Sequence, residues 1–151
     1  MSKQIVDQPR WPASPRKLRE PEIQKLIVKG DPFWRALAID VVTSTDRWHQ
    51  SGRIRINALR ALRRRLCCGE ISAAEQSELH EAIDLGILRM LDSGVGEEFR
   101  ALANVARTAA TPKLIAALED RVRTSPSRPH RINAQRLLDR IAGKPYRPYG
   151  S

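Results

Sequence analysis

From residue 21 onward, apolar side chains recur at helical spacing, and the stretches between them are short, polar and punctuated by proline and glycine. Pro21 and Gly30 frame a first helix around "EIQKLIVK", with proline at a first helical position and glycine past the end. Asp31 and Pro32 open the next, where Phe33, Leu37 and Val41 predict one apolar face. "STDRWHQSG" reads as a short helix or turn. Residues 54–67 follow as a helix ended by Gly69, with Ile56, Leu59, Leu62 and Leu66 facing the core. Ser72 and Glu75 have the capping-box form and open a long helix through about Met90, with Leu79, Ile83 and Ile87 along the same side as Met90. Further helices run from about Glu97 to Ala109, from Thr111-Pro112 through "PKLIAALEDRV", and from beyond "TSPSRP" to Gly143. The expectation is an all-α domain over 21–143, with about seven short amphipathic helices in antiparallel pairs. Residues 1–20, with Pro9, Pro12 and Pro15, read as an extended basic arm, and residues 144–151 as a basic Tyr/Pro tail.

One helix is written twice. "RINALRALRRRL" at 55–66 and "RINAQRLLDRIA" at 131–142 share seven of twelve positions: the Arg-Ile-Asn-Ala start, then Arg60/Arg136, Leu62/Leu138 and Arg64/Arg140. "FWRALA" at 33–38 and "EFRALA" at 98–103 make a second echo, each ahead of one copy of that helix. The order suggests an internal duplication, although the two offsets, 65 and 76 residues, need an insertion near "PKLIAALEDRV" to agree. The segment "FRALANVARTAATPKLIAALEDRV…RINAQRLLDRIAG" resembles HEAT and armadillo-like helical repeats over 97–143, and more loosely over 21–69. That resemblance implies a stack of helix pairs with a binding surface for protein or nucleic acid, and no chemistry of its own.

Composition adds direction. Alanine, leucine and arginine are plentiful and aromatics make up only 5%, which favours helices over strands. Net charge is +10, a field that attracts nucleic acid, anionic membrane or an acidic protein. The charge is segregated: residues 1–49 carry +3, 50–69 +6, 70–98 −7, 99–120 +1 and 121–151 +7. Helical spacing aligns Arg53, Asn57, Arg60 and Arg64, and the second copy repeats the line as Asn133, Arg136 and Arg140. Stacked in parallel, the two helices would present a ladder of guanidinium and amide groups suited to phosphate oxygens and base faces. Arg16 and Lys17 in "SPRK", and Lys144 and Arg147 in the tyrosine-bearing tail, extend the same chemistry to both ends.

The expected function is therefore non-catalytic nucleic-acid binding, DNA or RNA, through arginine-bearing helix faces. The alternative is an interaction adaptor or homo-oligomer subunit in which basic and acidic surfaces meet partner chains. A charged outer face is also what any solvated helix shows. A helix-turn-helix reading of 54–90 fails because its second helix is acidic and would be repelled by phosphates.

Little points to catalysis or cofactors. His49, His80 and His130 share no spacing; His80 with Asp84, beside Glu81, is a geometrically possible metal pair, but a surface histidine beside carboxylates is far commoner. No phosphate loop, nucleophile elbow or zinc-protease motif occurs. Some HEAT-like enzymes act on damaged bases with Trp and Asp residues, but nothing gathers Trp34, Trp48, Asp40 and Asp46 into one cleft. No enzyme activity, metal or cofactor is expected. Cys67 and Cys68 read as reduced, partly buried thiols at a helix end. No run approaches a membrane span of about 20 residues, and "MSKQIVDQPRWP" lacks a signal-peptide core. These features give a cytoplasmic, non-membrane expectation.

Overall fold

A computed structural model describes residues 21–44, 52–68, 70–93 and 98–143. Seven helices form among them: α1 (Pro21–Lys29), α2 (Pro32–Thr43), α3 (Gly52–Cys67), α4 (Ala73–Ser93), α5 (Phe99–Ala109), α6 (Pro112–Thr124) and α7 (Arg128–Ile141). The fold is all-α and no strand occurs among the described residues. The segment "STDRWHQSG", read as a short helix or turn, lies largely outside them, as do the arm and the tail.

The breaks fall where local chemistry dictates. Asp31 Oδ1 accepts from the amides of Phe33 and Trp34, at 2.9 and 3.2 Å, satisfying donors that α2 cannot pair internally. Thr111 and Ser127 cap α6 and α7 in the same way, accepting from Leu114 N and His130 N. Gly30 ends α1 in the left-handed region, at φ 91°. Half of the expected capping box is present. Ser72 Oγ accepts from Glu75 N at 3.0 Å. The Glu75 carboxylate instead takes a bidentate pair from Arg65, at 2.8 and 2.9 Å, and a third bond from Arg35. Two guanidinium groups outcompete one exposed backbone amide for that anion.

The pairing of residues along neighbouring helices gives the architecture. Arg35 meets Glu75 and Glu78 near the starts of α2 and α4, and Val42 lies beside Gly86 further along both, so these helices run parallel. Asp84 meets Thr111 and Asp92 meets Arg121, so α4 and α6 are parallel too. On the other side, Gly52 approaches Glu98 and Arg63 reaches Asn104 and Thr108, which makes α3 and α5 parallel. Arg136 lies over Phe99 and Arg140 bonds Asn104, which adds α7 in the same sense. The chain thus alternates between two layers, α2-α4-α6 and α3-α5-α7, and successive helices form antiparallel pairs. α1 packs against α2 and α3.

The pairs α2/α3 and α6/α7 share a joint. Arg55 Nη2 donates to Ser44 O at the end of α2, and Arg131 Nη1 donates to Ser125 O at the end of α6, each at 2.7 Å. Both serines are helix C-caps, so the first arginine of each "RINA" satisfies an orphan carbonyl of the helix before it.

The core runs between the layers through Ile27, Val41, Leu59, Leu62, Leu79, Ile83, Ile87, Leu91, Leu102, Leu118 and Leu137. The faces expected for α4 and α3 are the buried ones, except that Leu66 is half-buried. α2 differs: Ala38, Val41 and Val42 are buried, whereas Phe33 and Leu37 are only partly covered. It lies close against α4, and small residues allow that approach. At Gly86 an added Cβ would sit 2.9 Å from Val42 Cβ, 3.1 Å from Leu59 Cδ2 and 3.2 Å from Val42 O. Gly86→Ala gains about 1 kcal/mol of helix propensity, yet these contacts are with buried groups and backbone that cannot swing aside. Net destabilisation of about 1–2 kcal/mol is expected from chemical denaturation.

Asp84 joins α4 to α6. It is 8% exposed, and Thr111 Oγ1 donates to its Oδ2 at 2.5 Å. Burial pushes its pKa above the ordinary carboxylate value, against the opposing pull of the Thr111 bond, His80 and Lys113. The folded state therefore holds this proton more tightly than the unfolded chain does. The stabilisation is full below the unfolded pKa and is lost as pH rises through the raised one. Asp84→Asn, neutral at every pH, is expected to raise the melting temperature at pH 7 and to match the parent near about pH 3. Thermal melts at both pH values check this.

Candidate nucleic-acid interface

The layers differ in charge. α3 carries six arginines and α5 two, with no acid in either, and α7 carries four against Asp139. α4, by contrast, carries five acids against Arg89. The alternation along the sequence thus becomes a basic layer backed by a more acidic one.

On α3, Arg53, Arg60 and Arg64 project outward and are exposed. Asn57 departs from the sequence-based line. It is 2% exposed, because the first half of α3 is enclosed by neighbouring helices, and so it is withdrawn from any ligand at the surface. Arg55, at 3% exposure, is likewise internal, and its pKa is lowered by burial and by the charge of Arg89.

The repeated helices α3 and α7 do not stack on each other, as the ladder reading expected. The two-layer alternation inserts α5 between them. α5 exposes Arg100, Asn104, Arg107 and Thr108 on its outer side, and Asn104 is the meeting point. Arg63 Nη1 donates to Asn104 O at 3.3 Å and Arg140 Nη2 to Asn104 Oδ1 at 3.2 Å. The Arg136 guanidinium carbon lies 4.6 Å from the Phe99 ring centre, a cation–π contact that fixes its direction. Arg136 and Arg140 therefore face α5, and helical spacing places half-buried Asn133 along the same side. Arg140 Nε is buried without a hydrogen-bond partner.

The ion pairs engage the acidic layer and leave most of the outer arginines aside. Glu75 is bound by Arg65 and Arg35, and Asp92 by Arg121. Arg65 also donates to Val28 O at 3.1 Å, so it ties α1, α3 and α4 together and has a structural task. No ion pair among the described residues reaches Arg53, Arg63, Arg64, Arg107 or Arg140.

Sequence reasoning missed Arg63, Arg100 and Arg107, which lie off the repeated line and enter the face only because α5 occupies its middle. Arg16, Lys17, Lys144 and Arg147 lie outside the described residues. Cys67 and Cys68 are exposed rather than partly buried. Cys67 falls on the outward stripe of α3, beyond Arg60 and Arg64. No helix among the described residues is long and apolar enough to cross a membrane.

Comparisons of the chain with protein-family models, with curated proteins and with solved structures each found no match. What the basic face can do rests on its own geometry.

Proposed function

We propose that the protein is a non-catalytic nucleic-acid-binding module that holds phosphates on the outer face of α3, α5 and α7. The observation that carries this reading is the convergence of arginines from three parallel helices around Asn104, with acid-free α3 and α5 at its centre. Guanidinium forks satisfy phosphate oxygens in pairs, and a face of one sign draws a polyanion from a distance. Stacked helix pairs are the arrangement in which helical-repeat proteins present extended binding surfaces.

The test is affinity for a short mixed-sequence duplex and for one of its strands, measured across a salt series with mass determined in parallel. Log affinity is expected to fall linearly with log salt, with a slope of about −0.9 for each duplex phosphate neutralised. No binding at low salt, accompanied by a defined oligomer, would move the arginines to a protein interface, where the basic layer of one copy meets the acidic layer of another.

A further inference from the structure

A second site lies in the other layer. α4 and the start of α6 enclose a cleft of ≈ 580 Å³, within the size range of small-molecule pockets. Its walls are apolar: Leu85, Leu88, Leu114, Ala117 and Pro112. Leu85 is one of only two large apolar side chains exposed among the described residues, at 38%.

Two polar groups in that apolar wall are incomplete. Asp84 Oδ2 accepts from Thr111, but its Oδ1 is buried with no hydrogen-bond partner. One helical turn earlier on the same face, His80 Nδ1 is also buried and unpartnered. Buried polar atoms are nearly always paired, so two orphans lining one cleft need an explanation. A carboxylate oxygen accepts hydrogen bonds, and so does Nδ1 of a neutral imidazole protonated at Nε2. The cleft therefore lacks a donor, and because both atoms are closed to water a donor reaches them only as the rim side chains shift aside.

The donor's charge follows from its surroundings. Asp84 and Glu81 line the cleft against a single Lys113, and the exposed Glu78 lies on the same helix. An anion is disfavoured there. A bare metal ion is a poor fit, since no group of three His, Cys, Asp or Glu side chains among the described residues is placed to hold one, and most of the wall offers no ligand.

We propose that this cleft binds an organic ammonium or amidinium ion: a cationic head that donates to Asp84 Oδ1 and His80 Nδ1, on an apolar body that lies against Leu85, Leu88 and Leu114. The site is independent of the basic face, which lies on the opposite layer.

The test uses the full chain and 4-phenylbutylamine, with 4-phenylbutan-1-ol as the uncharged control, followed by amide chemical shifts. The amine is expected to produce saturable shifts at Asp84, Leu85, Leu114 and Ala117, and to bind at least about tenfold more tightly than the alcohol, the discrimination expected of a buried charge-assisted hydrogen bond. Asp84→Asn, expected to fold at least as well as the parent, should lose that preference. Leu85→Lys, a change at an exposed rim position, should weaken the amine more than the alcohol, since both lose the apolar contact and only the amine is repelled. Equal binding of amine and alcohol, undiminished amine binding in Asp84→Asn, or no saturable shift with either probe would overturn the proposal.

Discussion

Leu59→Ala is expected to destabilise the fold by about 3 kcal/mol, within the range for truncating a buried leucine. Leu59 is 0% exposed and its Cδ2 lies beside Gly86, at the junction of α2, α3 and α4. The surrounding wall is held from both sides. Arg65 ties α1 and α4 to α3, and Arg35 ties α2 to α4. The cavity can therefore collapse only partly, and the dispersion contacts of the lost methyl groups are not recovered. In a chain of this size the change corresponds to roughly 10 °C in melting temperature. A loss under about 1 kcal/mol would mean that the inter-layer core is looser than its burial implies.

The second large effect concerns binding. Arg53, Arg64 and Arg107 are exposed and enter no ion pair among the described residues. Their combined reversal to glutamate should cost no more than about 2 kcal/mol, since all three are exposed. Arg64 and Arg107 sit in last helical turns, where an anion opposes the dipole, and Arg53 sits in a first turn, where an anion is favoured. On the proposed function it removes three cations and adds three anions opposite the phosphates. Duplex affinity at low salt is expected to fall by at least about 10²-fold, and the salt slope should shrink by roughly three contacts. Reversing the exposed Lys113 and Arg123 on α6 to glutamate is the control for net charge. It lowers net charge in the same direction, on the other layer, and should leave the slope nearly unchanged. An equal response to both sets would mean that only total charge matters.

The helices were legible in the sequence because their boundaries are local chemistry. Asp31-Pro32, Thr111-Pro112, Ser72 and Gly30 each act on the backbone within a turn of themselves. The layering was not legible, because it depends on which helices become neighbours. α3 shows the limit. Its spacing divides it into a polar line and an apolar line, which would suffice for a helix with one solvent side. Its first half is instead enclosed on all but a narrow stripe, so Asn57 and Arg55 are buried despite their polarity. The echo between the "RINA" helices pointed to two shared features, of which one is structural: Arg55 and Arg131 each close the end of the preceding helix. The other, the Arg60/Arg136 and Arg64/Arg140 pairing, reaches the outer side of one layer, with α5 supplying the arginines between them. The cleft at Asp84 was visible only as a histidine and a carboxylate four residues apart. Its apolar wall comes from α6, which sequence spacing could not bring near.

The most direct test of the basic-layer account is an amide chemical-shift titration of the full chain with a short duplex at low salt. Shifts are expected to concentrate at Arg60, Arg64, Arg100, Asn104, Arg107, Arg136 and Arg140, on the outer side of α3, α5 and α7, and to leave the outer sides of α2, α4 and α6 unmoved. Shifts centred on α4 and α6, or none at saturating duplex, would contradict it.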